Sequence, residues 1–483
     1  MKTKSLSVNA FLNSLQTILN LIFPLITFPY VSRVLSVEGI GKYNFSNSIM
    51  SYFILIAGLG ISRFAVREGA KLRDDRKKFS EFASKIFTIN LCSTAFSYLL
   101  LFITLLFVSS LQSYKEAILI FSIQIFLTTI GMDWLYTIYE EYGYITARNI
   151  IFKVVSIILL FTLVRHSNDY LKYVSVTVFA STGSYLLNFF HAKKFVDLNL
   201  QWNFKWKEYL IPIFSIFGTM VAVTIYVSSD ITILGFLKGD YAVGIYSVAT
   251  KIYGTVAPVI ASTMAVAIPR LAMLIGQKRY REYHFLLAEL INTIIVVVFP
   301  TITGLMLVSK DVVLLIAGSG FLRAAASLRI LSVALLFSIV NTIFMECVLI
   351  PAKRENKTLV SSIVAAIVNV LLNFAMVPIF IEKGSAVTTV IAEFMSMLLN
   401  YYFGKDIIGN IYDKRFFSNL LTVIIGCSTI IIVCGLVNNI ITNIILRLVS
   451  SVVLSSIIYI FVLYLLNNTI AKNIIARVRI RIG

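Results

Sequence analysis

The chain has 483 residues, of which 58% are hydrophobic and only 13% charged, with a mean hydropathy of +0.89. A soluble chain carries roughly 45–50% apolar and about 25% charged residues, so a soluble multidomain protein is excluded and the bilayer is the solvent. The net charge of +19 does not indicate nucleic acid: the basic residues lie in short clusters between apolar runs, as at Arg73, Arg76, Lys77 and Lys78, and no soluble basic face remains.

Apolar runs of roughly 20 residues predict fourteen membrane-spanning helices. In the first half they cover about 9–30, 40–61, 82–108, 117–138, 150–164 and 171–190. In the second half they cover about 210–234, 243–268, 286–308, 324–350, 359–380 and 386–403, with a final pair at 417–437 and 444–466. The fifth is the weakest, being short and carrying Lys153. Lys2 and Lys4 precede the first run, but no small-residue cleavage site follows, so the first span is expected to be retained. Barrel strands would be only about ten residues long with strict alternation, which excludes a barrel.

Orientation follows from Lys and Arg. With a cytoplasmic N-terminus, roughly thirty of the 42 basic residues fall inside and roughly eleven outside, with Lys251 within a span. The inside clusters lie at 63–78, 193–207, 270–281, 353–357, 405–415 and the tail 472–481. Both termini are expected in the cytoplasm of a multi-pass membrane protein.

The chain repeats itself weakly at an offset of a little over 200 residues. Segment 34–43, with Leu35, Gly41 and Tyr43, resembles 236–246, with Leu237, Gly244 and Tyr246. Arg63, closing span two, corresponds to Arg270, closing span eight; Tyr114 to Ala117 corresponds to Phe321 to Ala324, each opening a fourth span. Six spans separate the copies, so both keep one topology, as in transporters built from parallel repeats. The expected organisation is an N-terminal six-helix lobe (1–200), a pseudo-symmetric C-terminal six-helix lobe (201–408) and an additional helix pair with a cytoplasmic tail (409–483).

Tyr30, Arg33, Glu38, Gly39, Gly41 and Tyr43 resemble the end of span one and the following turn of bacterial polysaccharide flippases. These form the polysaccharide-transport branch of the multidrug/oligosaccharidyl-lipid/polysaccharide exporter superfamily. Asp133, Trp134 and Glu140 are similar to that family, as are Asp230, Gly244, Tyr246 and Lys251, then Asn369, Asn373, Pro378, Gly384 and Ala386. The similarity runs from about residue 5 to 405. It implies fourteen helices in two lobes plus a final pair. It also implies translocation of undecaprenyl-pyrophosphate-linked oligosaccharide repeat units from the cytoplasmic to the outer leaflet, for O-antigen, capsular or exopolysaccharide biosynthesis. Implied partners are that lipid-linked substrate, membrane lipids and, in the same pathway, a polysaccharide polymerase and a chain-length regulator.

Charges inside a bilayer usually face a cavity or a partner. Arg33 and Lys42 lie near the outer ends of spans one and two, where snorkelling is an adequate alternative. Lys251 lies eight residues into span eight; it either pairs with Asp230 or presents a cation to a phosphate. Arg33, Arg63, Lys251 and Arg270 belong to spans that line the central cavity in the family, and are the candidates for the anionic head group. Arg63 and Arg270 also fit as plain positive-inside residues. Asn44 and Asn47 suit sugar hydroxyls or interhelical hydrogen bonds. Asp133, Glu346 and Glu393 are places for a coupled proton or Na⁺. Pro24, Pro29 and Pro258 are expected to bend moving helices.

Catalysis has little support. His166, His191 and His284 are far apart, no GxxxxGK[ST] loop occurs, and Cys92, Cys347, Cys427 and Cys434 all lie in apolar runs. No catalytic residue, metal or cofactor is expected, and the chain is read as a non-enzyme. The alternatives are a multidrug exporter of the same superfamily, or a membrane polymerase or glycosyltransferase, for which a large catalytic loop is missing.

Overall fold

A computed structural model describes residues 6–409, 414–468 and 470–472. Within them every regular element is helical. The helices are α1 (Leu6–Val34), α2 (Val37–Gly58), α3 (Ile61–Gly69), α4 (Arg76–Phe107), α5 (Lys115–Gly131), α6 (Asp133–Ile138), α7 (Tyr142–Leu163), α8 (Tyr170–Thr182) and α9 (Tyr185–Ala192). They continue with α10 (Trp206–Ser262), α11 (Ala267–Gly276), α12 (Tyr280–Ala317), α13 (Ala324–Ile343), α14 (Glu355–Phe380), α15 (Glu382–Ile408), α16 (Lys414–Ile440) and α17 (Ile444–Leu465). Eleven helical stretches among the described residues are long and apolar enough to cross a membrane. One of them, α10, is folded at Gly239 (φ 78°, ψ −172°) and holds two of the expected spans. Helix α1, apolar over Ile22–Val34, and the broken pair α8/α9 supply the other two. Lys2, Lys4 and the end of the basic tail lie outside the described residues.

Several expected spans are broken rather than continuous. Leu59 (φ 45°) and Gly60 (φ 77°) place two left-handed residues in succession, ending α2 and turning the chain into α3. Helix α3 buries Ile61, Phe64, Ala65 and Gly69 along one face and leaves Arg63 and Arg67 on the other, the pattern of a helix lying along a boundary. Met132 (φ 42°) separates α5 from α6, and a π-helical segment at Phe344–Leu349 follows α13. Apolar-run counting cannot see these breaks, because the residues at them are as hydrophobic as their neighbours.

The chain divides into two compact units, Met1–Gly244 and Ile245–Gly483. In the first, Ser36 caps α2 by accepting from the Gly39 N–H at 3.0 Å, and Asp75 caps α4 by accepting from Lys77 and Lys78, each at 3.1 Å. Its basic end is filled by Phe64, Phe79, Phe82, Ile86, Trp134 and Tyr136.

The extended segment after α9 is zipped onto α4 by hydroxyls. The N–H groups of Asp197, Asn199 and Gln201 donate to Ser80 Oγ, Ser84 Oγ and Thr88 Oγ1 at 3.1, 3.1 and 3.0 Å. Four helical residues rise about 6 Å and two extended residues about 6.6 Å, so an i, i+4, i+8 row of hydroxyls matches alternate N–H groups of a strand.

The repeat is visible in the packing. A Cβ on Gly41 would run into the Asp240 carbonyl oxygen, and one on Gly244 into that of Val37. The pairs 41/244 and 37/240 share one offset, so the motif copies meet reciprocally, as two-fold-related surfaces do. Their tyrosines also have matching surroundings. In the first unit Tyr43 packs on Tyr173 at 4.4 Å, with the Thr177 hydroxyl within hydrogen-bonding reach. In the second unit the Tyr246 hydroxyl meets Thr389 Oγ1 at 3.1 Å. Thr177 and Thr389 each donate, at 2.9 Å, to a carbonyl four residues earlier, Tyr173 and Ser385.

The second unit holds α11 to α17 and the last part of α10. Its helices α12, α16 and α17 pack around Val423, Ile430, Cys434, Tyr459 and Leu463.

Candidate functional site

In the first unit, α1 carries Arg33 on an exposed face, where its guanidinium donates to the Pro29 carbonyl at 2.6 Å. Lys42 places its ammonium 5.5 Å from the Tyr170 ring centroid. Asn44 donates to the Ile40 carbonyl of its own helix at 2.9 Å, whereas Asn47 is exposed in mid-helix. Arg63 is exposed on α3. Asp230 is buried among Ser228, Ser229 and Thr232 on α10. That stretch is tied to α2 by Ser51–Ser228 at 3.0 Å and Tyr52–Thr232 at 3.1 Å. In the second unit Lys251 is half-buried and Arg270 exposed on α11. Glu346 lies in the π-helical segment, and Glu393 is buried on α15 within electrostatic range of Tyr253.

Asp133 is committed to a tie inside the first unit. Its Oδ1 accepts from Arg148 at 2.9 Å and from Asn188 at 3.0 Å, and Asn188 also donates to the Gly131 carbonyl at 2.8 Å, spanning the break between α5 and α6. Arg148 lies 5.3 Å from the Tyr185 ring and 5.8 Å from that of Tyr144. Tyr144 in turn stacks on His191 at 4.3 Å.

The expected span five begins at about 150, whereas α7 begins at Tyr142 and holds Arg148. Other ties were missed for the same reason, since one partner sat at a span end. Arg323 donates to the buried Glu382 at 2.9 Å, joining the starts of α13 and α15. Arg447 clasps Asp311 with both arms, the Nε–Oδ2 contact being 2.8 Å, which fastens α17 to α12. Arg329, inside α13, donates to Ser309 Oγ at 2.8 Å. Outside the spans, Tyr114 donates to Asp240 at 2.6 Å. Burial raises the Asp240 carboxyl above the ordinary range, against the opposing pull of Tyr114 and Lys42.

Between α12, α16 and α17 runs an apolar groove of about 590 Å³, lined by Pro300, Gly304, Leu305, Ile430, Val452 and Ile460 among others. The Arg447–Asp311 clasp lies toward one end of these helices. Toward the other, Asn419 donates to Asn292 Oδ1 at 3.0 Å and accepts from Asn468 at 2.7 Å. Among the described residues no cluster of His, Cys, Asp and Glu could hold a metal ion.

The helical architecture is that of a solved class of membrane transporters. A structure titled "Lipid II flippase MurJ, inward closed conformation" superposes with a TM-score of 0.75, covering 97% of this chain and 99% of that one at 14% identity. An inward-facing multidrug resistance MATE family transporter of the MOP superfamily superposes at 0.63, covering 82% and 95% at 15% identity. The protein therefore has the fold of the multidrug/oligosaccharidyl-lipid/polysaccharide exporters.

Within that class, residues 6–275 match the family described as "Polysaccharide biosynthesis protein", and the chain belongs to it. A provisionally named O-antigen transporter of Escherichia coli (strain K12) is 27% identical over 248 residues, 48% of this chain and 57% of that protein. A second provisionally named O-antigen transporter, from Shigella dysenteriae, is 22% identical over 367 residues, 74% of this chain and 89% of its own length. The match thus spans little more than half of the Escherichia coli relative.

Proposed function

We propose that the protein flips undecaprenyl-pyrophosphate-linked oligosaccharide repeat units from the cytoplasmic to the outer leaflet of the bacterial inner membrane. The units would serve O-antigen, capsular or related polysaccharide biosynthesis, and the mechanism is alternating access between two lobes, 1–200 and 201–408, with 409–483 as an appendage. The observation that carries this reading is the family match over residues 6–275 on a flippase-like fold. The names of the two O-antigen transporter relatives agree with it.

The chemistry of the chain supports the same substrate. Arg33, Arg63, Lys251 and Arg270 offer cations for a pyrophosphate, which calls for charge and oriented donors rather than a nucleophile. The apolar groove between α12, α16 and α17 offers a seat for an isoprenoid tail at membrane depth. Asp133, Glu346 and Glu393 are the acids through which an ion could be coupled, and Asp133 would have to exchange its Arg148 partner to serve. Lys42 and Asp230 are the further polar candidates. Both termini are taken to be cytoplasmic, with polymerase and chain-length regulator acting on the exported units. Transport without chemistry fits a chain that has no nucleotide-binding loop.

The test is a deletion of the gene in its own host. Lipid-linked repeat units should accumulate on the cytoplasmic side and disappear again when the intact gene is restored. Normal polymer export in the deletion strain, with no accumulation, would reject the reading.

A further inference from the structure

Helix α3, the turn after it and the first turns of α10 enclose a hollow of about 410 Å³ whose lining carries both signs of charge. Arg67, Glu68 and Lys71 come from α3 and its turn, and Glu208 and Tyr209 from α10. Arg67 Nε meets Glu68 Oε1 at 2.9 Å, and Lys71 Nζ meets Glu68 Oε2 at 2.6 Å. Glu68 therefore gathers two cations, and a guanidinium with five N–H donors and an ammonium with three each keep capacity for a further acceptor. Glu208 pairs with Lys205 at 3.3 Å, but those side chains are 63% and 84% exposed. An ion pair so open to water contributes little and exchanges readily.

The hollow lies at the level where a bilayer meets water. Helix α3 buries one face and exposes Arg63 and Arg67 on the other. At the start of α10, Phe204 stacks on Trp206 at 4.7 Å and meets the Tyr209 ring edge-on at 5.4 Å, while Trp202 is exposed. Tryptophan and tyrosine concentrate at membrane–water boundaries. A second hollow of about 410 Å³ lies between α2, α4 and α10, lined by Ile89, Cys92, Phe96, Leu210 and Phe214 among others. The first hollow touches α4 at Phe82, and the second touches it about 10–21 Å further along the helix. A charged recess at the boundary is thus followed, along the same two helices, by an apolar recess at membrane depth.

We propose that the two hollows together bind one phospholipid with a zwitterionic, ammonium-bearing head group, phosphatidylethanolamine. Its phosphate accepts from Arg67 and Lys71, its ammonium donates to Glu208, and an acyl chain enters the apolar recess. Charge decides between the lipids that a membrane offers. A phosphatidylglycerol head or an isoprenoid pyrophosphate brings negative charge only, and would leave Glu208 facing an anion. A choline head carries both signs, yet its nitrogen bears no hydrogen to donate. Of these heads, ethanolamine alone satisfies both ends of the recess. The lipid assigned here is therefore not the cargo proposed above, and it braces α3 against α10 within the first unit.

Native mass spectrometry of the full-length protein tests this with three lipids of identical acyl chains, bearing ethanolamine, choline and glycerol heads. Phosphatidylethanolamine should bind roughly tenfold more tightly than the other two, the worth of one charge-assisted hydrogen bond. Glu208→Ala should erase that preference, whereas Arg67→Gln should weaken binding of all three lipids by a similar factor. If Glu208→Ala does not fold, Glu208→Gln, which removes the charge and keeps the shape, decides by the same criterion. Equal binding of the three lipids, a preference for the glycerol head, or an ethanolamine preference that survives loss of the Glu208 charge would overturn the assignment. Displacement of phosphatidylethanolamine by equimolar undecaprenyl pyrophosphate would overturn it too, by showing that the recess takes the cargo.

Discussion

Removing Asp133 should cost far more than removing Arg148, although the two form one ion pair. The side chain of Arg148 is 4% exposed and that of Asp133 44%. Asp133→Ala strands a buried guanidinium, two of whose nitrogens already lack a protein partner. Stranding one member of a buried pair costs about 3–5 kcal/mol. Arg148→Met leaves a carboxylate that water already reaches and replaces the long side chain with one of similar length, so the loss is about 2 kcal/mol. The double variant should then be no worse than Arg148→Met alone, so the coupling equals the Asp133→Ala loss, about 3–5 kcal/mol. Unfolding of each protein in mixed micelles titrated with SDS measures all four corners of the cycle. Equal losses from the two single changes, or a double variant showing their sum, would refute the argument from burial.

The reciprocal contact at Gly41 and Gly244 predicts matched effects: Gly41→Val and Gly244→Val should each destabilise by about 1–3 kcal/mol, seen as similar falls in thermal unfolding temperature, because each new side chain meets a backbone carbonyl that cannot rotate away. Lys251→Ala should abolish polymer export with membrane-inserted protein near normal, while Lys251→Arg keeps part of the activity; loss of protein rescued by Asp230→Ala would show a structural pair instead. Asp240 should make stability fall as pH rises, because its carboxyl is held above the unfolded value. Asp240→Asn should therefore raise the unfolding temperature at neutral pH, with the gain vanishing below about pH 4.

Composition and the length of apolar runs made the membrane class and the fourteen-span pattern legible, since the bilayer imposes a strict rule on where polar backbone can lie. The repeat was legible from Gly41, Tyr43, Gly244 and Tyr246 because small and aromatic residues at a close helix crossing tolerate little change. The breaks at Leu59–Gly60 and Met132 were not legible: left-handed backbone at a leucine or a methionine has no compositional mark. The site was half legible. Charged residues within spans or at their ends stand out in the sequence, which makes Arg33, Lys251 and Asp133 candidates, but the partners of such residues depend on which helix faces reach each other. That is why the Arg148 partner of Asp133 is not legible and why Asn44 and Asn47 look alike in sequence, although one bonds its own helix and the other is open.

The most direct measurement of the central claim is the sidedness of a fluorescent undecaprenyl-pyrophosphate-linked oligosaccharide in vesicles containing the purified protein and no nucleotide. The account predicts that probe confined to one leaflet becomes accessible to a membrane-impermeant quencher on the other side at a rate that scales with the amount of protein and falls in Lys251→Ala. A rate no faster than in empty vesicles, with a cationic drug moving instead, would contradict it.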